Sequence, residues 1–154
     1  MITRFIERGG LWVAVQSVLM LGVFGLSLIY PADTGDARIV ALGIVFLASG
    51  ACFGLAGALA LKKNLTPYPA PLPHVKLVRQ GIYARVRHPL YTSVILASLG
   101  WALVCQSWPG LIAACVLIPF FMAKADREEH WLMNRFPEYA DYAKTTRRFI
   151  PWLY

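Results

Sequence analysis

The chain has 154 residues, of which 58% are hydrophobic and only 15% are charged, and its formal net charge is +7 at pH 7. These proportions exclude an ordinary soluble domain, because the charged residues are too few to cover a water-exposed surface and they cluster between apolar runs. They indicate a membrane protein whose positive charge is explained by contact with anionic lipid headgroups, without a nucleic acid.

Four apolar runs are predicted to cross the membrane as helices, over residues 11–30, 39–61, 90–104 and 109–123. The first two contain no charged residue, and each is long enough to span a bilayer. The last two are shorter and only "CQSW" separates them, so we expect a hairpin whose helices continue into the flanking polar segments. The first run is too long for the apolar region of a cleaved signal peptide. The sequence therefore predicts one all-α, polytopic membrane domain over residues 1–154, with no Rossmann domain.

Lys and Arg are concentrated on one side of these predicted helices. They lie in the N-terminal segment, in the loop 62–89 and in the C-terminal segment 124–154, whereas the opposite side has only Arg38, beside Asp33 and Asp36. Because basic residues favour the cytoplasmic side, both termini are predicted to be cytoplasmic.

Two segments have a distinctive spacing of Gly or Pro. Gly50, Gly54 and Gly57 in the second run favour close contact between helices, and they leave the oligomeric state open because a dimer would use the same surface. In the loop, residues 67, 69, 71 and 73 are all Pro, which favours an extended chain. A loop of this length is often functional, and we expect it to cover a ligand site as a lid.

Two charged clusters flank the predicted hairpin. Arg85, Arg87 and His88 precede the third run, and "DREE" (residues 126–129) follows the fourth. Since the two ends of a hairpin lie at the same membrane face, His88 and Tyr91 are predicted to lie within reach of Glu128 or Glu129. Two interpretations stay open: a salt-bridge network that stabilises the fold, or a site for a polar ligand that carries both charges.

The C-terminal segment contains aromatic residues with helical spacing: Trp131, Leu132, Phe136, Tyr139 and Tyr142. The pattern predicts an amphipathic interfacial helix interrupted near Pro137, and it favours membrane anchoring as the role of the aromatic side chains. Arg148 suits the binding of a carboxylate or phosphate by its planar guanidinium group.

These residues together resemble a known group of proteins. The motifs "RHPxY" at Arg87–Tyr91, "EE" at Glu128 and Glu129, "FxxYxxY" at Phe136–Tyr142 and "RxxP" at Arg148–Pro151 occur in this order in roughly the second half of the chain. The series resembles the C-terminal signature of the isoprenylcysteine carboxyl methyltransferase and phospholipid methyltransferase superfamily. One departure is Pro137, which stands where family members commonly have Gly.

The resemblance implies transfer of a methyl group from S-adenosylmethionine to a lipophilic acceptor, either a prenylcysteine-type carboxylate or a phospholipid-type amine. The acceptor is expected to enter from the bilayer and the cofactor from the cytoplasm. Expected cofactor contacts are His88, Tyr91 and Glu129, supported by Tyr83, Arg87 and Glu128. Expected catalytic residues are Arg148, which would orient the acceptor, and Glu128 or His88, which would deprotonate an amine. The short chain resembles a minimal prokaryotic version, so the inner membrane is the expected location.

Two other functions remain open from the sequence. Membrane sterol and enone reductases resemble the same half of the chain, so the site would then hold NADPH, although few basic residues beyond Lys76, Arg79 and Arg85 are available for a 2′-phosphate. The second is a non-catalytic membrane protein. The three cysteines and three histidines lack the spacing of metal ligands, so no metal is expected.

Overall fold

The computed structural model of the chain describes residues 6, 8–32, 34–70 and 76–150. These residues form five α-helices, which are α1 (Gly10–Ile29), α2 (Ala37–Leu61), α3 (Pro89–Val104), α4 (Trp108–Arg135) and α5 (Tyr139–Thr145). Two short 3-10 helices, Lys62–Asn64 and Gly81–Ala84, lie between α2 and α3. The predicted all-α class is confirmed. Among the residues discussed above, Asp33, Pro71, Pro73 and Pro151 lie outside the described ranges.

Three of these helices are long and apolar enough to cross a membrane: α1, α2 with its 3-10 extension, and α4. The predicted third span, α3, is also apolar but has only 16 residues. The fourth runs twelve residues past position 123, as expected for a helix that continues into the polar segment. Its 28 residues correspond to about 42 Å, which exceeds the roughly 30 Å of a bilayer core, so its last turns carry the acidic cluster beyond the apolar region.

The helices run alternately up and down. α1 packs mainly against α4, α2 packs mainly against α3, and α3 contacts α4 between the two pairs. At one end, the backbone N of Thr34 donates to Gln106 Oε1 over 2.8 Å and links the α1–α2 and α3–α4 turns. At the other end, Gly9 contacts Pro69 and Trp131. The start of α1, the α2–α3 connection and the end of α4 therefore share one face.

The helix starts follow from local sequence. The Ser107 hydroxyl accepts a hydrogen bond from the backbone N of Gly110, and Pro109 occupies the first turn of α4. Asp36 accepts from the backbone N of Arg38 at the start of α2, and Pro89 begins α3. The Ser and Asp side chains accept hydrogen bonds from backbone amides of the first turn, which have no partner within the helix. Proline suits the first turn because it has no backbone N–H that needs a partner.

Glycines allow α2 and α3 to approach closely. A Cβ atom added at Gly43 would lie 2.8 Å from the carbonyl oxygen of Gly100, and one at Gly50 would lie 2.9 Å from that of Ser93. At Gly54 the added atom would lie 2.6 Å from the Ser93 hydroxyl. The close helix contact predicted from the glycine spacing is confirmed, and the contact is internal to the chain.

The C-terminal part differs from the sequence-based expectation in one respect. The helix break lies where it is predicted, because α4 ends at Arg135 and α5 begins at Tyr139. However, Tyr139 and Tyr142 are only 1% and 7% exposed. They pack inside the protein, so membrane anchoring is the wrong role for these two side chains. The expectation failed because period alone places aromatic residues on one helix face and does not say whether lipid or protein covers it.

Candidate active site

A cleft of about 830 Å³, counting the part open to solvent, lies at the end of the bundle where α2 ends and α3 begins. Its walls come from the α2–α3 connection, the first turn of α3, the polar end of α4, and α5. Five of the seven predicted site residues line it: Tyr83, Arg87, His88, Tyr91 and Glu128. Glu129 and Arg148 lie beside these residues and are not part of the lining.

Glu129 is the centre of a buried network of ion pairs. Its carboxylate accepts hydrogen bonds from Arg87 Nε at 3.0 Å and from His88 Nε2 at 2.9 Å. Arg148 donates twice, from Nε at 3.2 Å and from Nη2 at 3.0 Å. The Glu129 side chain is only 6% exposed. Both carboxylate oxygens are therefore already used within the protein, which joins α3, α4 and the C-terminal segment.

Backbone pairing positions this C-terminal segment. Residues Val86 and Arg147 form a parallel β-bridge. The backbone N of Arg87 donates to the carbonyl of Arg147 at 2.8 Å, and that of His88 donates to the carbonyl of Arg148 at 3.0 Å. The Thr92 hydroxyl also donates to the carbonyl of Phe149 at 2.9 Å. The segment after α5 is thus fixed against the "RHP" motif.

The two arginines of the network have further partners. Arg87 Nη1 donates to the carbonyls of Ala143 and Thr146, at 2.8 and 2.6 Å, and so closes the C-terminal end of α5. Arg148 Nη2 lies 2.7 Å from Asp126 Oδ1. The hydrogen bond to Glu129 raises the pKa of Arg148 above its already high usual value. Both guanidinium groups therefore link the acidic residues of α4 to the segments packed against them.

Glu128 has a different environment from its neighbour. Its side chain is 26% exposed and lines the cleft. The Tyr91 hydroxyl donates a short hydrogen bond to its carboxylate, and His88 Nδ1 lies 3.8 Å from the same oxygen. The rings of His88 and Tyr91 are stacked, with centroids 5.2 Å apart. The predicted contact of His88 and Tyr91 with the two acids is confirmed, and Glu128 is the acid that a ligand can reach.

Three further tyrosines line the cleft: Tyr83, Tyr139 and Tyr142. The Tyr142 hydroxyl donates to the carbonyl of Tyr83 at 2.6 Å. Burial raises the pKa of Tyr142 to about 12 and raises the pKa of the other two further. All three phenols therefore stay protonated at neutral pH and are neutral hydrogen-bond donors. Sequence reasoning did not place Tyr139 in the site, although its position in the "FxxYxxY" motif was a signal.

Lys124 is a second residue that sequence reasoning missed. It lies in the membrane-spanning helix α4 and is only 1% exposed, so its charged group is buried inside the protein. Its ammonium group donates to Gln16 Oε1 at 2.6 Å and to the carbonyl of Pro67 at 3.1 Å. Arg8 also lies over the ring of Tyr68 at 4.6 Å. The described part of the proline-rich segment, residues 66–70, is thereby held against α1 and α4, and its role as a lid stays a prediction.

The groups around the cleft fit S-adenosylmethionine by their chemistry. A carboxylate and aromatic faces suit its two cationic groups, the sulfonium and the ammonium. Lys76 and Arg87 would supply positive charge for its carboxylate, and Leu77, Leu132 and Phe136 would supply an apolar wall for the adenine ring.

The fold and the site define a small polytopic α-helical membrane protein with a cleft at the end of the bundle where α2 ends and α3 begins. A sequence profile described as phospholipid methyltransferase matches residues 38–139. The chain belongs to this phospholipid methyltransferase family.

Individual relatives carry three different descriptions. The chain is 32% identical over 82 residues to protein-S-isoprenylcysteine O-methyltransferase B of Arabidopsis thaliana. The aligned region covers 52% of this chain and 42% of that protein. It is 33% identical over 79 residues to steroid 5-alpha-reductase DET2 of Solanum lycopersicum, covering 51% of this chain and 30% of that protein. It is 27% identical over 150 residues to the nickel-cobalt-cadmium resistance protein NccN of Alcaligenes xylosoxydans xylosoxydans, covering 96% of this chain and 66% of that protein. The chain thus spans less than half the length of the first two relatives.

Proposed function

We propose that this chain is an integral membrane methyltransferase that uses S-adenosylmethionine to methylate a lipophilic acceptor. The observation that carries the proposal is Glu128, a partly exposed carboxylate paired with the neutral Tyr91 hydroxyl in a cleft at the end of the bundle. A carboxylate in this position attracts a cationic ligand, and membership of the phospholipid methyltransferase family supports the choice of cofactor.

The proposal divides the work between the two acids. Glu128 and the ring of Tyr91 bind the cationic part of the cofactor, with His88 stacked behind Tyr91. Glu129 is a positioning residue, since its oxygens already accept four hydrogen bonds from three side chains. S-adenosylmethionine, when bound, would supply a sulfonium methyl group whose carbon a nucleophile can attack, with the thioether of S-adenosylhomocysteine as the leaving group. The chain then contributes orientation and desolvation, which are the main requirements of a displacement of this kind.

The catalytic group that the reaction needs depends on the chemistry of the acceptor. A prenylcysteine-type carboxylate needs no base, and a fixed cation such as Arg148, which is 19% exposed, would orient it. A phospholipid-type amine must lose a proton, and Glu128 or His88 is then the base nearest to the cleft. The acceptor tail would stay in the bilayer while its head reaches the charged network.

Replacement of Arg148 by Ala should lower turnover, and unchanged turnover would remove Arg148 from this role.

The test is calorimetric titration of the detergent-purified protein with S-adenosylmethionine. The expected result is micromolar binding that Glu128→Gln weakens by about 10- to 100-fold, as for a lost charge-assisted contact. Asp141→Asn is the matched control, because the ion pair described for this exposed carboxylate is a local one with Lys144 and its loss should leave the affinity unchanged. Absence of binding by the unmodified protein would contradict the proposal.

A second candidate is an NADPH-dependent reductase, which the similarity to the steroid 5-alpha-reductase favours. NADPH carries phosphates, so its binding would depend on Lys76, the exposed cation of the cleft lining. A parallel titration with NADPH separates the two candidates. If the protein binds NADPH and does not bind S-adenosylmethionine, the result would favour the reductase. If it binds neither ligand, a non-catalytic role would be left.

We also propose a prokaryotic inner-membrane location with both termini in the cytoplasm. The support is the shared face of the start of α1 and the end of α4, together with the basic residues on that face. Reporter enzymes fused to each terminus, one active only in the cytoplasm and one only outside it, test this orientation. A periplasmic signal from either terminus would contradict it.

A further inference from the structure

Tyr139 is the most deeply buried phenol of the cleft wall. It is 1% exposed and lies at the start of α5, where it lines the cleft. Its hydroxyl has no hydrogen-bond partner among the residues that the structure describes. A buried hydroxyl without a partner loses its bonds to water and gains nothing in return, and such groups are rare in folded proteins.

The neighbouring tyrosines of the site differ from Tyr139 in this respect. The Tyr142 hydroxyl donates to the carbonyl of Tyr83 at 2.6 Å, and the Tyr91 hydroxyl donates to Glu128. The rings of Tyr139 and Tyr142 are in edge contact with centroids 5.6 Å apart, so the two residues share one environment. The hydroxyls of Tyr142 and Tyr91 therefore have acceptors in the fold, whereas that of Tyr139 has none among the described residues.

Two other buried polar atoms lack partners in the described ranges, Ser27 Oγ and Trp101 Nε1. Neither residue lines the cleft. Ser27 lies where a Cβ atom on Gly110 would collide with its hydroxyl, which indicates tight helix packing as the reason for its burial. Tyr139 is the one of the three that combines an unpaired donor with a place in the cleft wall.

We propose that the Tyr139 hydroxyl donates a hydrogen bond to the bound S-adenosylmethionine and is therefore a binding residue of the site. This inference rests on the proposed function and adds a residue to it. The phenol is a donor because burial, with the nearby Glu129 charge, keeps its pKa above the usual range. The acceptor is an oxygen or unprotonated nitrogen of the cofactor that S-adenosylhomocysteine also has, so both ligands should gain the bond.

The test compares Tyr139→Phe with Tyr142→Phe, two variants that each lose one phenol oxygen from adjacent turns of the same helix. Thermal unfolding without ligand is measured first in detergent. Tyr139→Phe should unfold at the same temperature as the unmodified protein or a higher one, because no bond in the fold is lost. Tyr142→Phe should unfold at a lower temperature, because the bond to Tyr83 is lost. A Tyr139→Phe protein that is destabilised or does not fold would show a structural partner and overturn the inference.

Calorimetric titration with S-adenosylmethionine and with S-adenosylhomocysteine follows. For Tyr139→Phe the dissociation constants of both ligands should rise by about three- to tenfold, as expected for one neutral hydrogen bond. Unchanged constants, with normal binding by the unmodified protein, would overturn this inference and leave the proposed function intact. If the unmodified protein binds neither ligand, the proposed function and the inference are both overturned.

Discussion

Adjacent glutamates in the site are expected to respond oppositely to the same substitution. Glu129→Gln removes the charge at the centre of a network in which Arg87, His88 and Arg148 all donate to one carboxylate. A Gln side chain keeps one acceptor oxygen and turns an amide donor towards cationic donors. Glu128→Gln makes the same change one residue away, where the described direct partner is the Tyr91 hydroxyl. A Gln oxygen can still accept a hydrogen bond from that hydroxyl.

The expected loss of stability follows from the burial of each glutamate and from the number of contacts that its replacement breaks. Removal of one partner from a buried ion pair costs about 3–5 kcal/mol, and Glu129 is 6% exposed. For a chain of this size 1 kcal/mol corresponds to about 2–4 °C in the unfolding midpoint, so Glu129→Gln should lower it by about 6–20 °C. Glu128→Gln removes less than about 1 kcal/mol, because its bond to Tyr91 is replaceable. Its midpoint should fall by less than about 4 °C.

The assay is tryptophan fluorescence during heating of both detergent-purified variants, followed by titration with S-adenosylmethionine at a temperature where both are folded. Glu129→Gln should be destabilised with a small loss of affinity, whereas Glu128→Gln should retain stability and lose affinity. The opposite pattern, a stable Glu129→Gln protein with weak binding, would refute the division of roles. It would favour the sequence-based prediction that Glu129 holds the cofactor.

Two further predictions concern the packing that surrounds the site. Lys124→Met should increase the rate of limited proteolysis in the α2–α3 connection several-fold, because the bond to Pro67 is lost; Lys144→Met, at an exposed position, is the control, and equal rates for both would contradict the tether. Gly43→Ala should lower the free energy of unfolding by about 1–3 kcal/mol, and the unfolding midpoint with it, since its Cβ would meet backbone atoms of α3 at 2.8 Å. Gly22→Ala meets nothing within 4 Å and should be neutral or stabilising by up to about 1 kcal/mol; equal midpoints would refute the packing argument.

Much of this arrangement follows from the sequence because topology limits it strongly. Two apolar runs joined by four residues must form a hairpin, so the residues before the first run and after the second meet at one face. That count predicts that His88 and Tyr91 lie within reach of Glu128 or Glu129, and the structure pairs His88 with Glu129 and Tyr91 with Glu128. Glycine spacing likewise predicts that α2 makes a close helix contact, because a helix face without side chains allows the closest approach of two backbones; the structure identifies α3 as the partner.

The roles of the two glutamates could not be predicted in the same way. Consecutive residues on an α-helix point about 100° apart, so Glu128 and Glu129 necessarily face different surroundings. Which of them faces the cleft depends on what covers the other, and here Arg148 covers Glu129. That cover depends on the backbone bridge between Val86 and Arg147, which joins positions far apart in a chain with no strand pattern. The burial of Tyr139 has the same cause, since α5 is held in place by Arg87.

The length of α3 gives a physical reason for the division between the two acids. Its 16 residues extend about 24 Å, less than the roughly 30 Å of a bilayer core, so the "RHP" motif at its start lies near or within the boundary of the apolar region. Charges at that depth are costly unless they are paired. The arginine side chains of the motif and of the C-terminal segment, Arg87 and Arg148, therefore require Glu129, and its removal should destabilise the site. Glu128, whose described direct hydrogen bond comes from a neutral hydroxyl, is left with its charge available to a cation that enters the cleft.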